Sequence, residues 1–314
     1  MVVTRADLER HIAQLREQIG DPRAGIYGPD SVSWRVDKES ALFLGGGKAA
    51  LLQLAHPYVA HAVDQHSATR TDPLGRFQRT FDNVFAMVFG DWETALRCSR
   101  RVHAIHTRIR GEITEDVGAF RKGARYDAND EGALLWVHAT LLDSAVEAYE
   151  LVLGPLAARD KERYYDESKR FARLFGISDA VLPASWSAFS EYYRDMLASD
   201  VIRVGAPAKE IASFLFKSPS PAFRPLFAWL RTLTAGLLPP RQRAEFGLPW
   251  TRTDRALYHA SIATLRRTYP RLPRRLRYVP AYVRAQRRLR GVEGPDRVGD
   301  LLERLVTVPL ARAK

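Results

Sequence analysis

The chain has 314 residues, 48 Lys and Arg against 36 Asp and Glu, a net charge of +12 and one cysteine. That length is ample for a buried cavity, and 46% hydrophobic with 27% charged residues is the mix of a soluble globular protein. The lone Cys98 excludes an internal disulfide framework and a cysteine-built metal cluster, and it fits a reducing compartment.

The N-terminal stretch MVVTRADLERHIAQLREQIG carries charges throughout and lacks an apolar core, so it does not read as a secretory signal. Thr4 is placed to cap a first helix, with Asp7 in its opening turn and Gly20 as its stop. Residues 21–40 are broken by Pro and Gly and read as a loop with short turns. The next helix is expected from Gly47 to His56, where Pro57 forces a kink or a new start. The uncharged run from Ala49 to Val63 is shorter than the ~20 residues that span a bilayer. Further helices are expected over Arg76–Phe89, over Glu93–Arg110 with Gly111 as its stop, and over the apolar run LLWVHATLLDSAVEAYELVLG at 134–154. Asn129 or Asp130 caps that run, and Gly154 with Pro155 ends it. Helices then follow at 160–175, 185–198, 207–217, 221–236, 253–267 and 279–290. Strand alternation is almost absent, no fixed-period repeat is visible and no low-complexity linker divides the chain. The expectation is one all-α domain over residues 1–314.

Residues 271–290, RLPRRLRYVPAYVRAQRRLR, hold eight arginines. They read as a solvated face that pins its neighbours, or as a stripe touching a membrane surface. Pro273 and Pro280 interrupt the run, so no recognition helix is formed and nucleic acid is not an expected partner. Residues 291–314 add a short amphipathic tail. The expected location is cytoplasmic, with membrane association through the arginine-rich segment as the variant.

Familiar motifs fail. Gly45-Gly46-Gly47-Lys48 lacks the spacing and the Ser/Thr of a phosphate loop, and no His-Glu-x-x-His, Glu-x-x-His or Gly-x-Ser-x-Gly is present. Eight histidines remain, six of them between residues 56 and 138. His56, Val59, Val63 and His66 share a face if Pro57 only kinks its helix; His103, His106 and Arg110 share another. His138 lies on the apolar stripe of Leu134, Leu141, Leu142 and Ala145. Such a histidine is either a core residue with both ring nitrogens bonded or a ligand to iron, zinc or haem. A zinc site wants four clustered ligands, whereas haem asks for one imidazole, an apolar slot and cations for its carboxylates. The helices carrying His106 and His138 are consecutive and could form a hairpin around a plane.

The run ALLQLAHPYVAHAVDQHS, DPLGRFQRTFDNVFAMVFGD, RRVHAIHTRIRG and RYDANDEGALLWVHATLLDS resembles the family that joins the catalytic domain of latex-clearing rubber oxygenases to the mycophenolic-acid-pathway oxygenase MpaB. The resemblance runs from about residue 27 to 288 and is closest to an uncharacterised bacterial branch. It implies an all-α fold and a haem b held by one histidine, which falls on His138. Rubber oxygenases place an Arg, a Lys and a Thr on the distal side. Laid on RVHAIHTR, these positions fall near His103 and on His106 and Thr107, so His106 either ligates the iron or steers oxygen. Arg79, Thr80, Tyr126 and Asp130 also match the pattern, with Arg79 reading as a propionate partner and Tyr126 as a hydrogen bonder near the cofactor. His56 matches an HP pair and reads as an orienting residue. Each has a structural alternative as an ordinary hydrogen bonder, which for His56 is a satisfied core histidine before a proline kink. The implied activity is a haem-dependent oxygenase on an apolar, olefinic or isoprenoid small molecule with O2. The alternative is a non-catalytic haem carrier, sensor or electron-transfer protein.

Overall fold

The computed structural model describes residues 1–67 and 73–292. The all-α expectation holds: the architecture is helical throughout, with one small two-stranded hairpin. The amphipathic tail of the sequence reading lies almost wholly outside the described residues.

Helix α1 (Arg5–Glu17) starts at a reciprocal cap in which the Thr4 hydroxyl accepts from the Asp7 amide and the Asp7 carboxylate accepts from the Thr4 amide. Residues 21–40 hold more structure than a loop. Ser31 caps a short helix α2 (Val32–Asp37), and Trp34, fully buried, donates its indole N–H to the Val88 carbonyl at 2.9 Å. Glu167 accepts from the Val32 and Ser33 amides at 3.2 and 2.8 Å, giving this helix start an anion where its dipole favours one. These ties come from residues far along the chain, so the local sequence does not announce them.

Helix α3 (Leu42–Leu54) begins five residues earlier than expected and runs straight through the three glycines. Helix packing explains why glycine stands there. A Cβ on Gly45 would meet the Ser144 carbonyl at 2.7 Å, and one on Gly47 would collide with the Thr234 side chain. Pro57 does not kink this helix; it begins α4 (Pro57–His66), with His56 as the cap. His56 therefore leaves the face expected to join it to Val59, Val63 and His66.

Helix α5 (Pro73–Phe89) packs beside α6 (Trp92–His106), which Asp91 caps. The latter stops four residues short of expectation. The chain instead enters a hairpin of β1 (Arg110–Glu112) and β2 (Arg125–Asp127), with Gly111 opposite Tyr126, so Arg110 does not share a helix face with His103 and His106. Helix α7 (Glu131–Leu153) starts where Asp130 accepts from the Ala133 amide at 3.0 Å and ends at Gly154, whose φ of 91° a glycine tolerates best. Its main partner is α3 rather than α6. The Trp136 indole donates to the Leu52 carbonyl at 2.8 Å, Gln53 donates to Thr140 at 3.1 Å, and buried Lys48 sits between Asp143 and Glu147.

The remaining helices are α8 (Ala158–Arg173), α9 (Trp186–Ala198), α10 (Ala206–Leu215), α11 (Arg224–Leu237), α12 (Pro240–Glu245), α13 (Arg252–Thr268), α14 (Arg274–Arg277) and α15 (Pro280–Leu289). Two arginines of the basic segment are pins. Arg277 grips buried Glu39 with two nitrogens at 2.7 and 2.8 Å, and Arg288 donates to the carbonyls of Arg23 and Phe89. Among the described residues, no helix is long and apolar enough to cross a membrane.

Candidate functional site

Helices α2, α3, α5, α7 and α8 enclose a narrow, mainly apolar cavity of about 90 Å3 that opens to the surface. From α5 come Phe81, Val84, Phe85 and Val88, spaced so that one helix face lines the space. Gly45, Gly46 and Ala49 of α3 present backbone with almost no side chain. From α7 come His138, Leu141, Leu142, Ser144 and Ala145, and from α8 Tyr164, Ser168 and Phe171. Tyr27 and Asp37 complete a polar end.

His138 is 6% exposed, and its ring lies nearly parallel to Phe171, with centroids 6.1 Å apart. Burial pushes its pKa down to about 4, so the imidazole is neutral with a lone pair to give. Its polar neighbour is the Ser168 hydroxyl, 3.5 Å from Nε2. That hydroxyl already donates to the Tyr165 carbonyl at 2.6 Å, so toward His138 it can only accept. The tether is long, and no described residue donates to the other ring nitrogen. Ser144 Oγ, also on the cavity wall and 4% exposed, has no hydrogen-bond partner. Ser144 thus lacks, among the described residues, the pairing that buried polar atoms ordinarily find, and His138 has only the long contact to Ser168.

At the polar end, Tyr164 Oη donates to Asp37 Oδ1 at 2.7 Å. Burial raises the Asp37 carboxyl to about 7; the tyrosine bond opposes the rise, and nearby Glu167 adds to it. Tyr27 is pushed well above the usual phenol range by burial, then by Asp37 and Glu167. A carboxyl with a raised folded pKa stabilises the fold fully below its unfolded value near 3.8, and that advantage is lost as pH climbs through about 7. At 1.36 kcal/mol per unit, the ionised form costs on the order of 4 kcal/mol above neutrality. Asp37→Asn is therefore expected to be more stable than the wild type at pH 8, with the gap widening from pH 4 to 7 and level beyond. Denaturant unfolding across that range reads it, and a gap independent of pH would show that Asp37 is not held protonated.

The other expected site residues are dispersed. His103, buried on α6, bonds through Nε2 to the Val3 carbonyl at 3.1 Å. Thr107 caps that helix, donating to the His103 carbonyl at 2.9 Å and accepting from Asn129 at 3.3 Å. His106 sits at the helix end, half-buried, and none of these three lines the cavity. The structure does not bring the α6 trio together with His138, because α6 packs on α5 and α7 on α3. His56 accepts from the Tyr58 amide through Nδ1 at 3.2 Å and packs against Tyr58 and Phe120; burial lowers its pKa to about 4. Tyr126 donates to Gln65 at 2.7 Å, and burial pushes its hydroxyl up to about 12. Both lie outside the cavity lining. Arg79 and Thr80 stand exposed on α5, just before its first lining residue, Phe81. Sequence reasoning missed Asp37, Tyr164, Tyr27 and Ser168. Asp37 and Tyr164 are 127 residues apart, and no spacing connects them.

A family model described as ER-bound oxygenase mpaB/B′/rubber oxygenase, catalytic domain, matches residues 34–267. That span takes in every cavity-lining residue except Tyr27. Two curated relatives, uncharacterized proteins of Mycobacterium bovis and Mycobacterium tuberculosis, are each 24% identical over 233 residues, 72% of this chain and 88% of theirs. No solved structure gives a significant match.

Proposed function

This chain belongs to the family of mpaB and rubber-oxygenase catalytic domains, and on that premise we propose that it is an oxygenase holding haem b through His138 and acting on an apolar, olefinic small molecule with O2. The observation that carries the reading is a neutral, buried imidazole on the wall of an apolar cavity, with no donor engaging one of its ring nitrogens. Haem also asks for an apolar slot and cations for its carboxylates; the slot beside His138, about 90 Å3, has to widen to admit a porphyrin, and no Lys or Arg stands among the described lining residues. Among the described residues no three ligand-type side chains converge as a protein-built metal cage would require.

The chain's own groups have distinct tasks. His138 would give its lone pair to the iron, with Phe171 lying alongside its ring. Gly46 on the α3 wall places no side chain in the way of a flat group. Arg79 and Thr80, at the exposed end of the α5 wall, suit the cofactor's carboxylates. The phenylalanines of α5 keep water out and suit a hydrocarbon chain. Asp37, sharing a hydrogen bond with Tyr164, holds a proton near neutral pH and offers it to an oxygen function at the polar end. Haem iron, when bound, supplies the binding and activation of oxygen.

A non-catalytic haem carrier, sensor or electron-transfer protein is the second reading; a second protein ligand to the iron would favour it, and His138 is the one imidazole among the described lining residues. The optical spectrum of the haem-reconstituted protein tests the proposal. A shift on adding carbon monoxide to the ferrous form is the expected result. A spectrum unchanged by carbon monoxide would favour the carrier, and failure to take up haem would end the haem reading.

A further inference from the structure

The segment just beyond the family match is fastened beside the cavity in an unusual way. Ser40 donates its amide to the Arg277 carbonyl at 2.7 Å and its hydroxyl to the Leu276 carbonyl at 3.3 Å. Arg277 closes the joint on buried Glu39, and the Val279 amide donates to the Lys38 carbonyl at 2.8 Å. Held so firmly, the segment nevertheless turns its leucines outward: Leu272 is 39% and Leu276 54% exposed. Between them lie Arg274 and Arg275, which have no carboxylate partner among the described residues.

A third exposed apolar side chain is tied to the same joint through Ser40. Phe43, whose amide bonds to the Ser40 carbonyl, is 42% exposed. Its inner edge packs on Phe81 at 5.0 Å and Phe85 at 6.1 Å between centroids, and both of those rings line the cavity. Apolar tips set among unpaired guanidinium groups are costly in water. They match a surface that is apolar beneath and anionic above: leucine and phenylalanine enter the acyl boundary, while arginines pair with phosphates.

We propose that the rim formed by Phe43, Leu272, Leu276, Arg274 and Arg275 docks on the surface of a bilayer containing anionic lipid. The contact is peripheral. Its existence does not depend on the haem reading; only the delivery of an apolar substrate from lipid to the cavity rests on that reading. The arginines and leucines of the rim lie outside the residues that match the family model, and Phe43 lies inside them.

Co-sedimentation of the full chain with vesicles of equal phosphatidylglycerol and phosphatidylcholine, beside vesicles of phosphatidylcholine alone, tests it. The wild type should bind the anionic vesicles and bind the neutral ones at least tenfold more weakly. Arg274→Glu with Arg275→Glu should lose roughly tenfold or more of the anionic binding, since each basic group near such a surface contributes about 1 kcal/mol. Leu272→Ser with Leu276→Ser should lose a similar factor at unchanged net charge. The charge-matched control Arg159→Glu with Arg194→Glu, on α8 and α9, should bind within about twofold of the wild type, a small fraction of the rim effect. The proposal falls if the control loses as much as the rim pair, because the overall +12 charge would then suffice. It also falls if the wild type ignores anionic vesicles, or if sedimentation without lipid shows a dimer that the leucine changes dissolve. Haem uptake is read separately and fails or holds on its own.

Discussion

His138→Ala is expected to abolish haem uptake while leaving the fold intact. The ring's protein tethers are weak: one 3.5 Å contact to Ser168 and a loose stack on Phe171. Its loss therefore leaves few orphaned partners, and the space it vacates joins a cavity already open to a mouth. For the cofactor the change is far larger, because it removes the proposed iron ligand itself. The loss should exceed the roughly 100-fold in affinity that removing an outer partner of a metal ligand can cost. Two other substitutions make the result specific. His106→Ala, at the end of α6 and off the cavity lining, should take up haem normally. His56→Ala removes the cap of α4 and should cost about 1 kcal/mol of stability while keeping the spectrum. Absorbance titration with haem reads all three, with circular dichroism as the check on folding. Equal haem affinity in His138→Ala and the wild type would remove the central ligand from the proposal.

The second large effect is structural. Lys48 is 5% exposed, and its ammonium group lies between Asp143 and Glu147, one turn apart on α7. Burial alone would lower its pKa, but the two carboxylates outweigh that and raise it. Lys48→Met would leave two acidic groups facing one another with no cation between them. Stranding a fully buried charge costs 3–5 kcal/mol. Asp143 and Glu147 keep 26% and 40% of their side-chain surface, so solvent screening trims the expected loss to about 2–3 kcal/mol. The penalty should shrink in acid as the carboxylates protonate, and adding Asp143→Asn and Glu147→Gln should restore most of the stability. Denaturant midpoints for the single and triple variants measure this. A Lys48→Met protein as stable as the wild type would mean the pair of carboxylates is already solvated. Because α3 and α7 are two walls of the cavity, the single variant should also hold haem less firmly.

Much of this molecule could be read one turn at a time. Thr4 with Asp7, Asp91 and Asp130 each announce a helix start, because a cap is a hydrogen bond to an amide two or three residues away. The apolar stripe around His138 followed from helical period alone, and motif order pointed to the family. Where neighbours in sequence do not supply the partner, the reading stopped. The glycines suited a tight turn or a close backbone approach, and the structure shows the second: within a helix, Gly45 and Gly47 admit the close passage of α7 and α11. Pro57 was compatible with a kink or a start, and the side chain of His56 as a cap made it a start.

The sequence by itself thus determined most of the longer helices, several of their caps, the family and the histidine worth watching. Tertiary structure decided what surrounds that histidine: walls from α3, α5 and α8 rather than from α6, a hydrogen bond from Tyr164 to Asp37, and arginines divided between pins and an open rim. The reason is physical. Caps and apolar stripes depend on groups within one or two turns, whereas a cavity is bounded by whichever distant faces exclude water together, and that choice is a property of the packed whole.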